Sequence, residues 1–350
     1  MDPIILMQSK WGETYNIPWY LFLGGMSGGI LIISALAEIF GGNRPRHSAL
    51  AGLSALLNLP FMVVGGLALS FHLARPLRGF LFPLYMTNYD SWLTIGGWII
   101  MAFLPISILV TLAWYFEVSR AWRMLISLIA LPIGILMCLY TGYLLTAVQF
   151  VPLWAPQFLP ILFLLSGIST GLAACTVNAY LVKILPFPHR VRERLQDVGL
   201  EKSAHTLGNY EIFIVILEVV WIFMFILALS KGSVGHRVAG HALVKGELST
   251  WFWMGVVLIG LALPILLSIL EPILKKVYNR ESGWAVGWPL FAKLHLVLLG
   301  GLILRHVIVW GGDIKQPLFF PSQMAAAPTV SAGQGSAQAL SQALKMIHRR

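Results

Sequence analysis

The cysteines and histidines of this chain are the residues that could bind a redox metal, and their positions limit that chemistry. The only two cysteines, Cys138 and Cys175, lie in apolar stretches and not in a C-x-x-C arrangement. An iron–sulfur cluster usually needs four thiolates, so this protein alone cannot hold one. His295 and His306 fall on one predicted helix about 16 Å apart and cannot clamp one iron. A haem between His72 and His306 stays open, with an interfacial His72 and a hydrogen-bonded His306 as the alternative.

Other polar side chains lie deep in apolar stretches. They are Glu38, Asn58, Asn178, Glu218, Lys293, His295 and Arg305. An ionisable side chain in lipid costs at least about 2.5 kcal/mol on insertion scales, so it usually faces the interior of a helical bundle and is a functional candidate. Either these residues serve only helix assembly through hydrogen bonds, or some of them form a proton route, for which the candidates are Glu38, Glu218, His295 and Arg305.

Long apolar stretches must position these residues. Hydrophobic residues make up 58% of the chain and charged residues 11%, against roughly 25% charged in globular domains. A hydrocarbon core about 30 Å thick needs roughly 20 apolar residues of helix. Stretches of that length occur at 18–40, 49–72, 92–116, 122–147, 158–184, 209–230, 251–270 and 286–311. Their apolar character does not alternate, which favours helices over barrel strands.

The predicted fold class is therefore an all-α integral membrane protein with eight transmembrane helices, arranged as two four-helix bundles. An internal echo supports two halves, since GMSGG at 25–29 resembles GISTG at 167–171, four helices later. We predict four bundle helices and helix five over 1–184, a cytoplasmic linker loop at 185–208, the remaining membrane helices over 209–320, and a mobile C-terminal tail over 321–350.

The distribution of Lys and Arg predicts the orientation. Loops on the side opposite the termini hold twelve of them, against seven on the terminal side, or ten with the distal tail. The positive-inside rule then puts both termini outside the cytoplasm, with the protein in the cytoplasmic (inner) membrane. The net charge of +10 is spread over short loops and not clustered, which argues against nucleic-acid binding.

Irregular, aromatic and partly polar segments concentrate on the outer side. They read NIPWYLFLGGMSGG at 16–29, FHLARP at 71–76, NYDSW at 88–92, YTGYLL at 140–145, PLW at 152–154 and LFLLSGISTGLAA at 162–174. In this order and spacing, the motifs resemble the polysulfide reductase membrane-subunit family of the NrfD and PsrC type, over residues 11 to 320.

The resemblance implies a membrane subunit of a respiratory oxidoreductase that oxidises quinol or reduces quinone, of the menaquinone or ubiquinone type. It implies no haem and no iron–sulfur cluster in this protein, and no action on the terminal substrate by this subunit alone. The implied partners, besides membrane lipid, are an extracytoplasmic ferredoxin-like iron–sulfur subunit and a molybdopterin or multihaem subunit.

The resemblance also places the quinone near the outer ends of helices one and four, where the matching residues are Asn16, Tyr20, Tyr140 and Tyr143. A quinol site needs an apolar slot, hydrogen bonds to the ring oxygens and a proton acceptor. A histidine can occupy the family position of Tyr20, and a phenol, with an ordinary pKa of about 10, is a poorer acceptor. The substitutes on the same face are His72, ranked first because imidazole titrates near neutral pH, Arg75 and Asp90.

Plainer interpretations stay open for several of these residues. Tyr20 and Tyr143 can be aromatic residues of the membrane interface, and Arg75 can be a snorkelling arginine. A secondary transporter is the alternative from another class, since repeated bundles with polar residues at mid-depth are typical of transporters. An inert anchor and a haem b anchor are further alternatives.

Overall fold

The structure, a computed structural model, describes residues 16–41, 45–72, 85, 88–154, 157–181, 200–277 and 283–313. Within these ranges the side chains of 45–48, 71–72, 180–181, 200–206, 271–277, 283–290 and 313 are not described. No strand occurs in the described part of the chain.

The described residues form nine α-helices, a π-helical segment and a 3-10 turn. In chain order they are α1 (Asn16–Phe40), α2 (Pro45–His72), α3 (Trp92–Tyr115), α4 (Arg120–Thr146), α5 (Leu159–Leu181), α6 (Leu200–Lys231), α7 (Val234–Val244), a π-helical segment (Trp251–Ala262) that continues into α8 (Leu263–Val277), and α9 (Gly283–Trp310), which ends in a 3-10 turn (Gly311–Asp313).

Within the described residues, eight helical stretches are long and apolar enough to cross a membrane. This confirms the predicted all-α membrane fold, while the division into two four-helix bundles stays a prediction. The helix α7 has 11 residues and is too short to span. The helix α6 begins at Leu200, inside the predicted linker loop at 185–208. The rest of that loop and the tail at 321–350 lie outside the described residues.

The helix α1 lies at the centre of the bundle. It packs against α2, α4, α5 and α9. In its most apolar stretch of 18 residues 89% are buried, against 28% in the corresponding stretch of α3. Peripheral helices such as α3 expose large apolar side chains, among them Trp98, Ile108 and Leu109. Such apolar surfaces are stable in hydrocarbon. Helices can be exposed to it because they satisfy their own backbone polar groups.

The helices α1 and α5 cross at close range through small residues. A Cβ added to Gly29 would overlap the Gly167 carbonyl oxygen, and one added to Gly171 would lie 2.7 Å from the Gly29 carbonyl carbon. This is Gly-x-x-x-Gly packing, in which the missing side chains let two backbones touch. The two segments of the predicted internal echo are therefore the surfaces through which α1 and α5 meet.

A second close crossing joins the π-helical segment to α9. A Cβ added to Gly300 would overlap the Cα atom of Gly260. This contact fixes α9, which carries Arg305, against its neighbour in the chain.

Candidate functional site

A cavity of about 770 Å³ lies at the face of the bundle where α1 begins and α4 ends, here called the terminal face. Its volume falls within the roughly 300–1,000 Å³ of small-molecule pockets. Its lining combines aromatic and polar side chains from separate segments, which include Asn88, Asp90 and Ser91 before α3, Trp92 at the start of α3, Tyr143 and Thr146 at the end of α4, Gln149 and Trp154 in the segment after α4, and His236 on α7.

Two stacked rings form one wall of this cavity. Trp92 and Tyr143 have centroids 4.3 Å apart and planes 3° apart. The next segment is fixed separately, since the Trp154 indole Nε1 donates a hydrogen bond of 2.7 Å to the Ile308 carbonyl at the end of α9. The wall is therefore held by contacts among α3, α4 and α9.

Tyr20 and Tyr140 form a buried pair deeper in the bundle. Their exposed fractions are 0% and 2%. The Tyr140 ring lies directly against α3, where a Cβ added to Gly96 would overlap it. The two phenols are close enough to interact, but the Tyr20 hydroxyl forms no hydrogen bond of normal geometry with any described residue.

The predicted quinone residues thus fall into three groups. Tyr143 and Asp90 line the cavity, whereas Tyr20 and Tyr140 are buried in the core. Asn16 is exposed at the start of α1. Arg75 and the side chain of His72 lie outside the described residues.

Arg305 is at the centre of a polar cluster inside the bundle. Its guanidinium is fully buried, donates hydrogen bonds to the Ser166 hydroxyl and to the Gly301 carbonyl, and lies 4.8 Å from the centroid of the Phe163 ring. The Glu218 carboxyl on α6 interacts with the same Ser166 hydroxyl and with the Arg305 charge. The cluster therefore joins α5, α6 and α9.

A small cavity adjoins Glu218. It is lined by Ser166, Ser169 and Thr170 of α5 and by glycines of the π-helical segment and α9. Its volume of about 10 Å³ is close to the least that holds one water molecule. A single water there would have hydroxyl and carboxyl groups as partners.

Ion pairs lie toward the opposite face. Lys293 Nζ is 3.2 Å from Glu211 Oε2, with both side chains almost fully buried. Arg123 Nε is 3.2 Å from Glu38 Oε1. His295 is exposed, and its Nδ1 lies 2.8 Å from the Phe291 carbonyl of its own helix. The predicted proton-route residues are therefore not one contiguous cluster, since Glu218 and Arg305 meet and the other two lie apart from them.

Comparison of the sequence with known protein families identifies the family of this helical bundle. The sequence profile described as "Polysulphide reductase, NrfD" matches residues 6–315. The chain belongs to the NrfD polysulphide reductase family. The resemblance inferred from the motifs is thereby confirmed, and the protein is a membrane member of an oxidoreductase family.

Curated relatives agree with this NrfD assignment. The sequence is 28% identical to the C subunit of polysulfide reductase from Wolinella succinogenes, over 88% of this chain and 99% of the relative. It is 28% identical to protein NrfD of Escherichia coli K12, over 86% and 94%. It is 25% identical to the Hdr-like menaquinol oxidoreductase integral membrane subunit of Archaeoglobus fulgidus, over 89% and 73%.

The sequence reasoning missed two residues of this NrfD protein. His236 lines the cavity from α7, a short helix whose position depends on tertiary packing. Glu211 is buried beside Lys293. Glu211 precedes Glu218 by two helical turns on one face of α6, and that spacing is a signal that could have identified it.

Proposed function

We propose that this NrfD-family protein is the quinone-reacting membrane subunit of a respiratory oxidoreductase complex. The observation that carries the proposal is the cavity of about 770 Å³ at the terminal face, with its stacked Trp92 and Tyr143 wall and the polar Asp90. Relatives named as a polysulfide reductase subunit and as a menaquinol oxidoreductase subunit support it.

The lining matches what a quinone ring needs. The aromatic wall offers an apolar plane for the ring, and the Tyr143 hydroxyl and the amide groups of Asn88 and Gln149 can hydrogen-bond to ring oxygens. The buried Tyr20 and Tyr140 pair lies deeper along α1 and α4, where the Tyr140 ring packs against Gly96 of α3. Asn16, His72 and Arg75 keep their proposed roles at the same face.

The position of the cavity also favours a partner at the terminal face. Electrons from a quinol must pass to a centre within tunnelling distance, and this protein has too few cysteines for a four-thiolate cluster. The acceptor is then an iron–sulfur subunit docked at that face, with a molybdopterin or multihaem subunit beyond it. We place the terminal face outside the cytoplasm, in the inner membrane, on the distribution of Lys and Arg.

A proton route through the bundle is part of the proposal. Glu218 and Arg305, with the water-sized cavity between α5 and α6, are its central elements. Glu38 lies toward the opposite face in an ion pair with Arg123. Glu38 and the exposed His295 would act near that face, where protons enter or leave.

The transporter alternative is less well supported. A secondary transporter holds its substrate near mid-membrane between repeats. Here the large cavity is at the terminal face, and the cavity beside Glu218 has room for about one water molecule.

Binding of a quinone analogue to the purified protein tests the proposal. The probe is 2-heptyl-4-hydroxyquinoline N-oxide, whose fluorescence is quenched on binding, with menaquinone and ubiquinone analogues as separate competitors. We expect saturable binding that Trp92→Ala weakens about 10-fold through loss of the stacked wall. Trp122→Ala is the matched control, because Trp122 is exposed at the start of α4 and does not line the cavity. Non-saturable binding to the native protein, or equal effects of the two variants, would contradict the proposal.

A further inference from the structure

We propose that His236 accepts the proton released by quinol in the terminal-face cavity. The inference rests on the proposed function and names the proton acceptor that Tyr20, a buried phenol, does not supply. His236 lies on α7, the helix that does not span the membrane, and its ring lines the same cavity as Asp90 and Tyr143.

Ser233 holds the His236 ring in place. Ser233 is the N-cap residue of α7, yet its hydroxyl makes no side-chain cap hydrogen bond. A serine at this position normally accepts a hydrogen bond from a backbone N–H of the first helical turn. Ser233 Oγ lies 2.6 Å from His236 Nδ1 instead. The hydroxyl therefore orients the imidazole at the expense of the helix cap.

This contact suits a group that changes its protonation state. A hydroxyl both donates and accepts, so Ser233 can donate to an unprotonated Nδ1 or accept from Nδ1–H. When Ser233 accepts, Nε2 carries a free lone pair and can take a proton. After protonation both ring nitrogens are donors, and the Ser233 oxygen still accepts a hydrogen bond from Nδ1–H.

The proton and electron balance is complete with the groups named. One quinol gives two electrons, one at a time, to one-electron iron–sulfur centres of the partner subunit and releases two protons. One proton passes from a quinol hydroxyl to His236 Nε2, which converts the neutral imidazole to imidazolium. The other passes to the exposed Asp90 carboxylate and from it to water at the terminal face. Quinone leaves, and His236 then loses its proton to water.

The other titratable groups around the cavity fit this assignment. Asp90, from the turn before α3, and Tyr143, from α4, are the titratable side chains that share the described lining with His236. Lys231 and Arg237, next to α7 and on it, are exposed. Imidazole can accept a proton at Nε2 while Nδ1 keeps its hydrogen bond to Ser233, which makes His236 the suitable base.

The test compares His236→Gln with His241→Gln in the intact complex purified with its partner subunits. His241 lies on the same short helix, is exposed and does not line the cavity, so it is a matched control. Single-turnover oxidation of decylubiquinol and of dimethylnaphthoquinol is followed by ultraviolet absorbance across a range of pH. Binding of 2-heptyl-4-hydroxyquinoline N-oxide reports on the integrity of the cavity.

We expect the native rate to rise with pH, because only an unprotonated base can accept the proton from quinol. In His236→Gln the rate should fall at least about 100-fold and lose that rise, because a positioned base contributes about that much. His241→Gln should keep the native rate and pH profile. Ser233→Ala should lower the rate by a smaller factor, with inhibitor binding retained. His236→Ala should regain turnover when free imidazole is added, a rescue that a purely structural role would not show.

The outcomes separate this inference from the proposed function. If the native complex neither binds the inhibitor nor oxidises quinol, the proposed function fails. If native and His236→Gln complexes turn over alike with the same pH profile, His236 is not the acceptor although the quinone site stands. Loss of inhibitor binding in His236→Gln, together with no rescue of His236→Ala by imidazole, would also overturn the assignment.

Discussion

Glu211 and Glu218 lie seven residues apart on one face of α6, and each is buried against a basic residue of α9. Glu211 pairs with Lys293 at 3.2 Å, and Glu218 interacts with the charge of Arg305. Seven residues of helix correspond to a rise of about 10.5 Å. Two acid–base pairs at different depths therefore connect α6 to α9.

The pair near the opposite face should be sensitive to loss of one partner. Glu211→Gln leaves the Lys293 ammonium buried without its counter-charge, and we expect the free energy of unfolding to fall by about 3 to 5 kcal/mol. The double variant Glu211→Leu with Lys293→Met should recover most of that loss, because no buried charge remains. Denaturant unfolding in detergent measures both.

The exposed Glu247 provides the control for this comparison. Glu247→Gln should leave the unfolding midpoint unchanged, since it breaks no buried pair. If Glu211→Gln proved as stable as the native protein, the pair would not contribute to folding.

The crossing of α1 and α5 should not tolerate a methyl group. In Gly29→Ala the added carbon would overlap the Gly167 carbonyl, and we expect a loss of about 1 to 3 kcal/mol or more from overpacking. Gly66→Ala is the matched control, because a Cβ at Gly66 meets nothing within 4 Å. Thermal unfolding of the two variants gives the comparison, and equal midpoints would contradict the close crossing.

Glu218→Gln tests the proton route. The amide keeps the shape of the carboxyl but cannot carry a proton across the cluster. Proton uptake at the opposite face of sealed vesicles, which comes in addition to the two protons that quinol releases at the terminal face, should therefore fall by about 10-fold or more for each quinol oxidised. A pH-sensitive dye and quinol absorbance measure the ratio, with Glu247→Gln as the control. An unchanged ratio in Glu218→Gln would remove this residue from the route.

Cysteine labelling tests the orientation of the protein in the membrane. Glu247 is exposed at the terminal face, and Ser119 is exposed in the turn between α3 and α4 at the opposite face. In spheroplasts of an expression host, a membrane-impermeant thiol reagent should label Glu247→Cys at once and Ser119→Cys only after permeabilisation. The native Cys138 and Cys175 are buried and give little background. The reverse pattern would place the termini in the cytoplasm.

The spanning helices were predictable from the sequence because length and apolarity alone decide whether a segment can cross lipid. The predicted start of the third span at residue 92 coincides with α3, and the predicted 18–40 span with α1 to within two residues. The helix α7 was not predicted, since 11 residues of mixed character carry no spanning signal. The π-helical form of Trp251–Ala262, a segment that packs against α9, was not predicted either, since apolar length does not distinguish helix types.

The site was only partly predictable for the same reason. Asp90 and Tyr143, which the sequence placed at one face, line one cavity, because alternating helix directions bring the start of α3 beside the end of α4. They share a cavity with His236, which becomes visible only when α7 is folded against the bundle. Burial of Tyr20 beside Tyr140 also depends on the small Gly96, whose effect appears only when α3 is placed against α4.

The crossing of α1 and α5 sets how this protein can move. Where two backbones touch with no side chains between them, there are no rotamers to rearrange, so the contact has a single arrangement. A rocker-switch motion would have to pull Gly29 away from Gly167, leaving an unfilled gap in a medium without water. The central helices therefore act as a rigid frame. Turnover then requires only that the quinone enters and leaves its cavity, with no rotation of one half of the bundle against the other.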